Sequence, residues 1–80
     1  MIDQSELLNI ISKSLNLSRD KIDISVSSEK LEEWDSLGHL TILSAIDKAT
    51  DGKASEIDTL YSCSSVKEIF ENLKKNNLAK

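Results

Sequence analysis

Apolar residues recur at helical spacing in separate stretches of the chain and lose that spacing between them. Leu7, Leu8, Ile11 and Leu15 fall three and four residues apart, with Ile10 widening the stripe and Asn9, Ser12 and Lys13 on the wet side. Asp3 and Glu6 have the form of a capping box, so a first helix is expected over about 4–15. A second runs from Ser36 to about Ala49, where Leu37, Leu40, Ile42, Leu43, Ile46 and Ala49 are apolar around more than half the circumference. Leu43, Ile46 and Ala49 are expected to face the interior and Leu37 and Leu40 to stay partly exposed. Gly52 is the expected left-handed residue after it. Ser55 with Asp58, and Ile57, Leu60 and Tyr61 behind them, predict a short helix at about 56–62. Ser65 and Glu68 form a second capping box, and Val66, Ile69, Phe70 and Leu73 carry a last helix to about Lys74, with residues 76–80 expected to fray.

Residues 16–35 show no sustained helical period, which is long for a connection inside a compact domain. Leu17, Ile22, Ile24, Val26 and Leu31 are spaced so that some can pin the segment. Ile22 to Val26 alternates like a strand, but a lone five-residue strand would find no partner, so an extended segment laid over the helices is expected. The expected fold is all-α: a small four-helix bundle, three main helices plus one short helix, with a long loop between helices one and two.

Eighty residues allow one domain, 1–80, with one modest core. No apolar run approaches the length of a membrane span, and no signal-peptide pattern opens the chain, so a soluble, cytoplasmic protein is expected; it is also expected to be a monomer. A single cysteine, Cys63, and a single histidine, His39, fall short of a disulfide or a structural zinc site. The net charge of −4 argues against nucleic acid as a partner. Residues 1–40 carry eight acids against four bases and residues 41–80 six of each, so the excess lies in the half that leads up to Ser36. Glu29, Glu32, Glu33 and Asp35 form either a solvated loop or a docking surface for Arg and Lys of a partner.

Ser36 stands where this acidic segment gives way to the most apolar helix. A serine there is an ordinary N-cap, its hydroxyl accepting a first-turn N–H. The same unpaired N–H groups and the helix dipole also favour a phosphate at that point. A Cys63–His39 pair acting on a substrate is the least strained enzyme reading, though a bundle this small offers little room for a cleft. His39 also reads as an ordinary half-exposed histidine and Cys63 as buried filler. Trp34 reads either as an anchor for the end of the loop or as a partner contact. Tyr61 and Phe70 are expected in the core or at its margin.

Asp35-Ser36-Leu37 entering an apolar helix, near the middle of a small acidic chain, resembles the attachment site of acyl carrier proteins, and the resemblance covers nearly the whole chain. It implies that Ser36 accepts a 4'-phosphopantetheine arm from coenzyme A, added by a phosphopantetheinyl transferase with a divalent metal supplied in that complex. The arm's thiol would hold an acyl or aminoacyl group as a thioester for partner enzymes that load and transfer it; the carrier itself turns nothing over. Asp35, Leu37 and Leu40 would help the transferase find the serine, with Glu33 and Asp47 adding to partner recognition. The long first loop fits the same family. Gly38, His39, Thr41 and Lys48 make the helix after the serine poorer in acids than in general fatty acid carriers, and the form Trp34-Asp35-Ser36-Leu37-Gly38-His39 resembles specialised bacterial members instead. The reading from another class is a helical interaction module that binds a partner through Leu37, Leu40 and the acidic loop, with Ser36 only an N-cap.

Overall fold

Three short polar side chains start the three α-helices, each from an extended backbone position. Asp3 accepts the Glu6 N–H at 2.8 Å and opens α1 (Gln4–Leu15); Asp35 accepts the Gly38 N–H at 2.8 Å and opens α2 (Ser36–Ala49). Ser65 accepts the Glu68 N–H at 3.2 Å and opens α3 (Val66–Lys75). The expected spans of the main helices hold to within a residue.

The helices also end alike. Asn16, Asp51 and Asn77 take the left-handed conformation, and the next residue reaches back: Leu17 N–H to Ser12 O, Gly52 N–H to Asp47 O, and Leu78 N–H to Leu73 O, each at 2.8–2.9 Å. These bonds satisfy carbonyls that a helix end leaves open. Gly52 was expected to supply the turn after α2; Asp51 takes the first left-handed position and Gly52, at φ 85°, follows.

The computed structural model describes all 80 residues, Met1–Lys80, as an all-α chain without strands. The expected short fourth helix is not α-helical. Residues 54–62 form two 3₁₀ turns, Ala54–Glu56 and Asp58–Ser62. The reason lies in the period of the buried residues. Ala54, Ile57, Leu60, Cys63 and Val66 are all buried, spaced by three, and three residues per turn is the 3₁₀ repeat. Tyr61, expected at the core margin, therefore points away and is 60 % exposed.

α1 and α2 pack most extensively on each other, and one core takes residues from every α-helix and from the connections. Ile42 and Ile46 are the buried face of α2; Leu43 is half-buried, and Ala49, expected inward, is exposed. The long connection 16–35 carries one 3₁₀ turn, Arg19–Lys21. Ile22, Val26 and Trp34 are buried along it. Arg19 ties it to α1 by donating from Nε to the Asn9 carboxamide oxygen at 2.9 Å, and holds its own turn by donating to Ile22 O at 2.9 Å. No strand forms at residues 22–26, as expected. A single antiparallel bridge at Ser27 and Ser65 fixes the segment instead, through Ser28 N–H to Ser64 O (2.8 Å) and Val66 N–H to Val26 O (3.0 Å).

The C-terminal residues do not fray. Ile2 N–H donates to Leu78 O at 2.9 Å and Lys80 N–H to Ile2 O at 3.1 Å, with Ile2 and Ala79 both buried. The two ends of the chain thus clasp beside the C-terminal end of α2, where Met1, Ala49, Thr50 and Leu78 share a shallow hollow. Ser36 opens this 14-residue helix and so lies roughly 20 Å from that end.

Glu68 closes the start of α3 by accepting from Ser64 N–H and from the hydroxyls of Ser64 and Ser65. These bonds, the Ser64 N–H first, hold its carboxyl below the ordinary glutamate range. A lowered folded value favours the ionised form, so this contribution is present above the ordinary glutamate value and is lost as pH falls below it. Glu68→Gln is expected to flatten the acid limb of the stability–pH curve measured by urea unfolding, with the difference from wild type shrinking as the pH drops; an unchanged acid limb refutes it.

Candidate functional site

The N-terminal turn of α2 is built by a close approach that only glycine permits. A Cβ at Gly38 would fall on the Glu33 carbonyl oxygen and lie 2.9 Å from Leu15 Cδ2. Without one, the last turn of the loop sits directly on the first turn of the helix. Trp34 then points inward, 3 % exposed, while Asp35 and Ser36 face solvent.

Ser36 was expected to cap its own helix, and it does not. Asp35 is the N-cap, and Ser36 is the first helical residue. The chemistry favours this division, because a side-chain oxygen reaches the third N–H of a helix from the residue preceding it. The Ser36 hydroxyl is left exposed and without a capping duty. The N–H groups of Ser36 and Leu37, the first two of the helix, have no intrahelical acceptor, and the positive end of the helix dipole lies at the same point. Two unpaired N–H donors and the positive end of the helix dipole thus lie beside an exposed hydroxyl, with the Asp35 carboxylate on the preceding residue.

His39, read in the sequence as an ordinary histidine, joins three elements. The Trp34 indole Nε1–H donates to His39 Nδ1 at 3.0 Å, and His39 Nε2 lies 2.9 Å from Leu60 O in the second 3₁₀ turn. The rings are 6.1 Å apart and inclined by 20°. Indole N–H only donates and a backbone carbonyl only accepts, so one tautomer satisfies both ends, with the hydrogen on Nε2. With both nitrogens engaged, His39 has none free to take a proton from Ser36. Trp34 is thereby the anchor of the loop end, the first of its two sequence readings.

Leu37 and Leu40 are 73 % and 54 % exposed, so the turn that presents Ser36 also presents two leucines to solvent. Glu33 and Asp35 are exposed beside them. Asp47 was grouped with these partner-facing acids; it is half-buried, and its Oδ1 accepts the Ser55 N–H at 3.0 Å, so it also braces the first 3₁₀ turn. Between α2 and residues 54–61 lies an apolar pocket of about 190 Å³ walled by Leu40, Leu43, Ala54, Ile57, Leu60 and Tyr61. Leu40, one helical turn beyond Ser36, is among its walls.

Cys63 lies in a separate shallow hollow with Ser36, Asp35 and His39. Its thiol sits 3.4 Å from Thr59 O and accepts from the Asn72 carboxamide at 3.4 Å. Burial first, then the Glu68 carboxylate, pushes this thiol up, away from the thiolate a nucleophile needs. No three His, Cys, Asp or Glu side chains are grouped so as to hold a metal ion. No helix is long and apolar enough to cross a membrane.

No family model, curated protein or solved structure significantly matches the chain.

The division of labour between Asp35 and Ser36 is measurable. Asp35→Ala is expected to cost about 1 kcal/mol, the usual loss for a removed N-cap. Ser36→Ala is expected to stay within about 0.5 kcal/mol, as for an exposed residue without partners. Urea unfolding of both variants checks this; equal losses would return the capping role to Ser36.

Proposed function

We propose that the chain is an acyl carrier protein whose Ser36 accepts a 4'-phosphopantetheine arm. The observation that supports it most is the release of Ser36 from capping. A structural serine at this border would hold the first turn, whereas this one stands exposed on a turn held by Asp35, Gly38 and His39. The three α-helices, with the 3₁₀ pair at 54–62 in place of a short helix and the pinned segment 16–35 as the first loop, suit the four-helix carrier bundle that the sequence resembles.

In the transfer, the Ser36 hydroxyl attacks the pantetheine-side phosphorus of the coenzyme A pyrophosphate. The new Oγ–P bond forms as the bridging P–O bond breaks, and adenosine 3',5'-bisphosphate leaves. The hydroxyl proton passes to a base of the transferase, since His39 is engaged at both nitrogens. The Ser36 and Leu37 N–H groups, unpaired within the helix, would be the donors available to the phosphodiester. Once attached, the arm supplies the thiol that holds an acyl or aminoacyl group as a thioester. Leu37 and Leu40, with Glu33 and Asp35, offer apolar and acidic contacts to the transferase and to loading and transferring enzymes. Asp47 contributes its remaining carboxylate oxygen. The pocket beside Leu40 can shelter the first methylenes of an aliphatic cargo at about 0.8 kcal/mol each.

The exposed leucines would serve an interaction module equally well, and the two readings part at Ser36. Intact mass after incubation with coenzyme A, magnesium and a broad-specificity phosphopantetheinyl transferase is expected to rise by one phosphopantetheine in wild type and not in Ser36→Ala. No increment on folded protein with several transferases would overturn the carrier reading and leave the module.

A further inference from the structure

We infer that His39 is a positioning residue for the transfer onto Ser36, a role that rests on the carrier reading. Only Asp35 separates Trp34 from Ser36, and three separate restraints converge on this short turn. Trp34 N–H donates to Leu31 O at 3.2 Å, the Asp35 carbonyl accepts the His39 N–H at 2.8 Å, and the Trp34 indole is held by His39 Nδ1 at 3.0 Å. The last restraint is itself anchored. His39 Nε2–H is fixed on Leu60 O, which belongs to a 3₁₀ turn packed into the core through the buried Leu60. The imidazole is thus a rigid spacer between the core and the residue just ahead of the capping aspartate. Its ring can supply an acceptor on one side and a donor on the other only in one orientation, so it sets both the distance and the angle of the indole.

Such a spacer matters because Ser36 reacts in another protein's active site. Docking through Leu37, Leu40 and the acids places the carrier as a body, but the oxygen that attacks phosphorus is carried by the turn. A nucleophile displaced by about 1 Å can lose on the order of 100-fold in rate while the complex still forms. Losing the His39 bridge should therefore lower kcat and leave KM for the carrier nearly unchanged. A merely structural role predicts the opposite split. If His39 only supported folding, its variants would present a smaller folded fraction, which raises the apparent KM and leaves the saturated rate alone.

The test is steady-state transfer from coenzyme A by a broad-specificity phosphopantetheinyl transferase with magnesium, read by intact mass, on wild type, His39→Leu, His39→Gln, Trp34→Phe and the double variant His39→Leu/Trp34→Phe. Far-UV circular dichroism and urea unfolding fix the folded fraction of each. In His39→Leu, kcat is expected to fall about tenfold to 100-fold with KM within about twofold of wild type. His39→Gln, whose carboxamide carries one acceptor and one donor, should recover part of the rate. Trp34→Phe keeps the ring but lacks the N–H, so it should fall in the same direction, and the double variant should fall no further than His39→Leu, because one bridge is being removed twice. An unchanged kcat in folded His39→Leu, or a rise in KM that tracks its unfolded fraction, overturns the positioning role and leaves the carrier reading standing. A wild-type chain that no transferase modifies overturns both.

Discussion

The contact on which the functional end of this protein depends is the seating of Gly38 against the Glu33 carbonyl. Any side chain at residue 38 would push the end of the loop away from the start of α2. With glycine there, the backbone can turn so sharply into the helix that Trp34 is buried, Asp35 reaches the third N–H, and Ser36 is left on the outside. Leu15 lies against the same glycine, so the last residue of α1 and the first turn of α2 are positioned by one another. The site is a consequence of helix packing rather than an attachment to it.

A second layer of restraint makes the turn stiff. Isolated loop turns rearrange readily because few buried contacts oppose them. Here an aromatic ring in the core is held by an imidazole, and the imidazole is held by a backbone carbonyl of the 3₁₀ turn at 58–62. That turn also walls the apolar pocket beside Leu40. The exposed serine, the exposed leucines and the pocket are therefore parts of one packed assembly. The clasp between Ile2 and residues 78–80 lies at the end of α2 far from the serine.

Most helix boundaries could be read from local chemistry, because a cap acts within three residues and an apolar face repeats every turn. Asp3 and Ser65 marked their helices, and the spacing of Leu7, Leu8, Ile11 and Leu15 marked the buried face of α1. The refusal of a strand at residues 22–26 followed from the lack of any partner, and the segment makes only one bridge. Where the reading failed, a competing pattern was present. Ile57, Leu60 and Tyr61 suggested an α-helical turn, yet Ala54, Ile57, Leu60, Cys63 and Val66 repeat at three, and that longer series is what the core selected. At the N-terminus of α2 two capping residue types stand side by side, and it is Asp35 that accepts the Gly38 N–H.

The sequence by itself determined the all-α class, the three principal helices, the acidic approach to α2 and the serine at its border. These are set by composition and by interactions a few residues long. Only the tertiary structure decided what that serine is free to do. Its release from capping depends on how the loop meets the helix, which turns on a carbonyl five residues before Gly38 and a leucine on another helix. The same holds for His39: its acceptor Leu60 is 21 residues away, and no periodicity within α2 reveals a bond that forms only when the helix and the 3₁₀ turn pack together. Local chemistry wrote the elements, and long-range packing chose which polar groups remained available for chemistry.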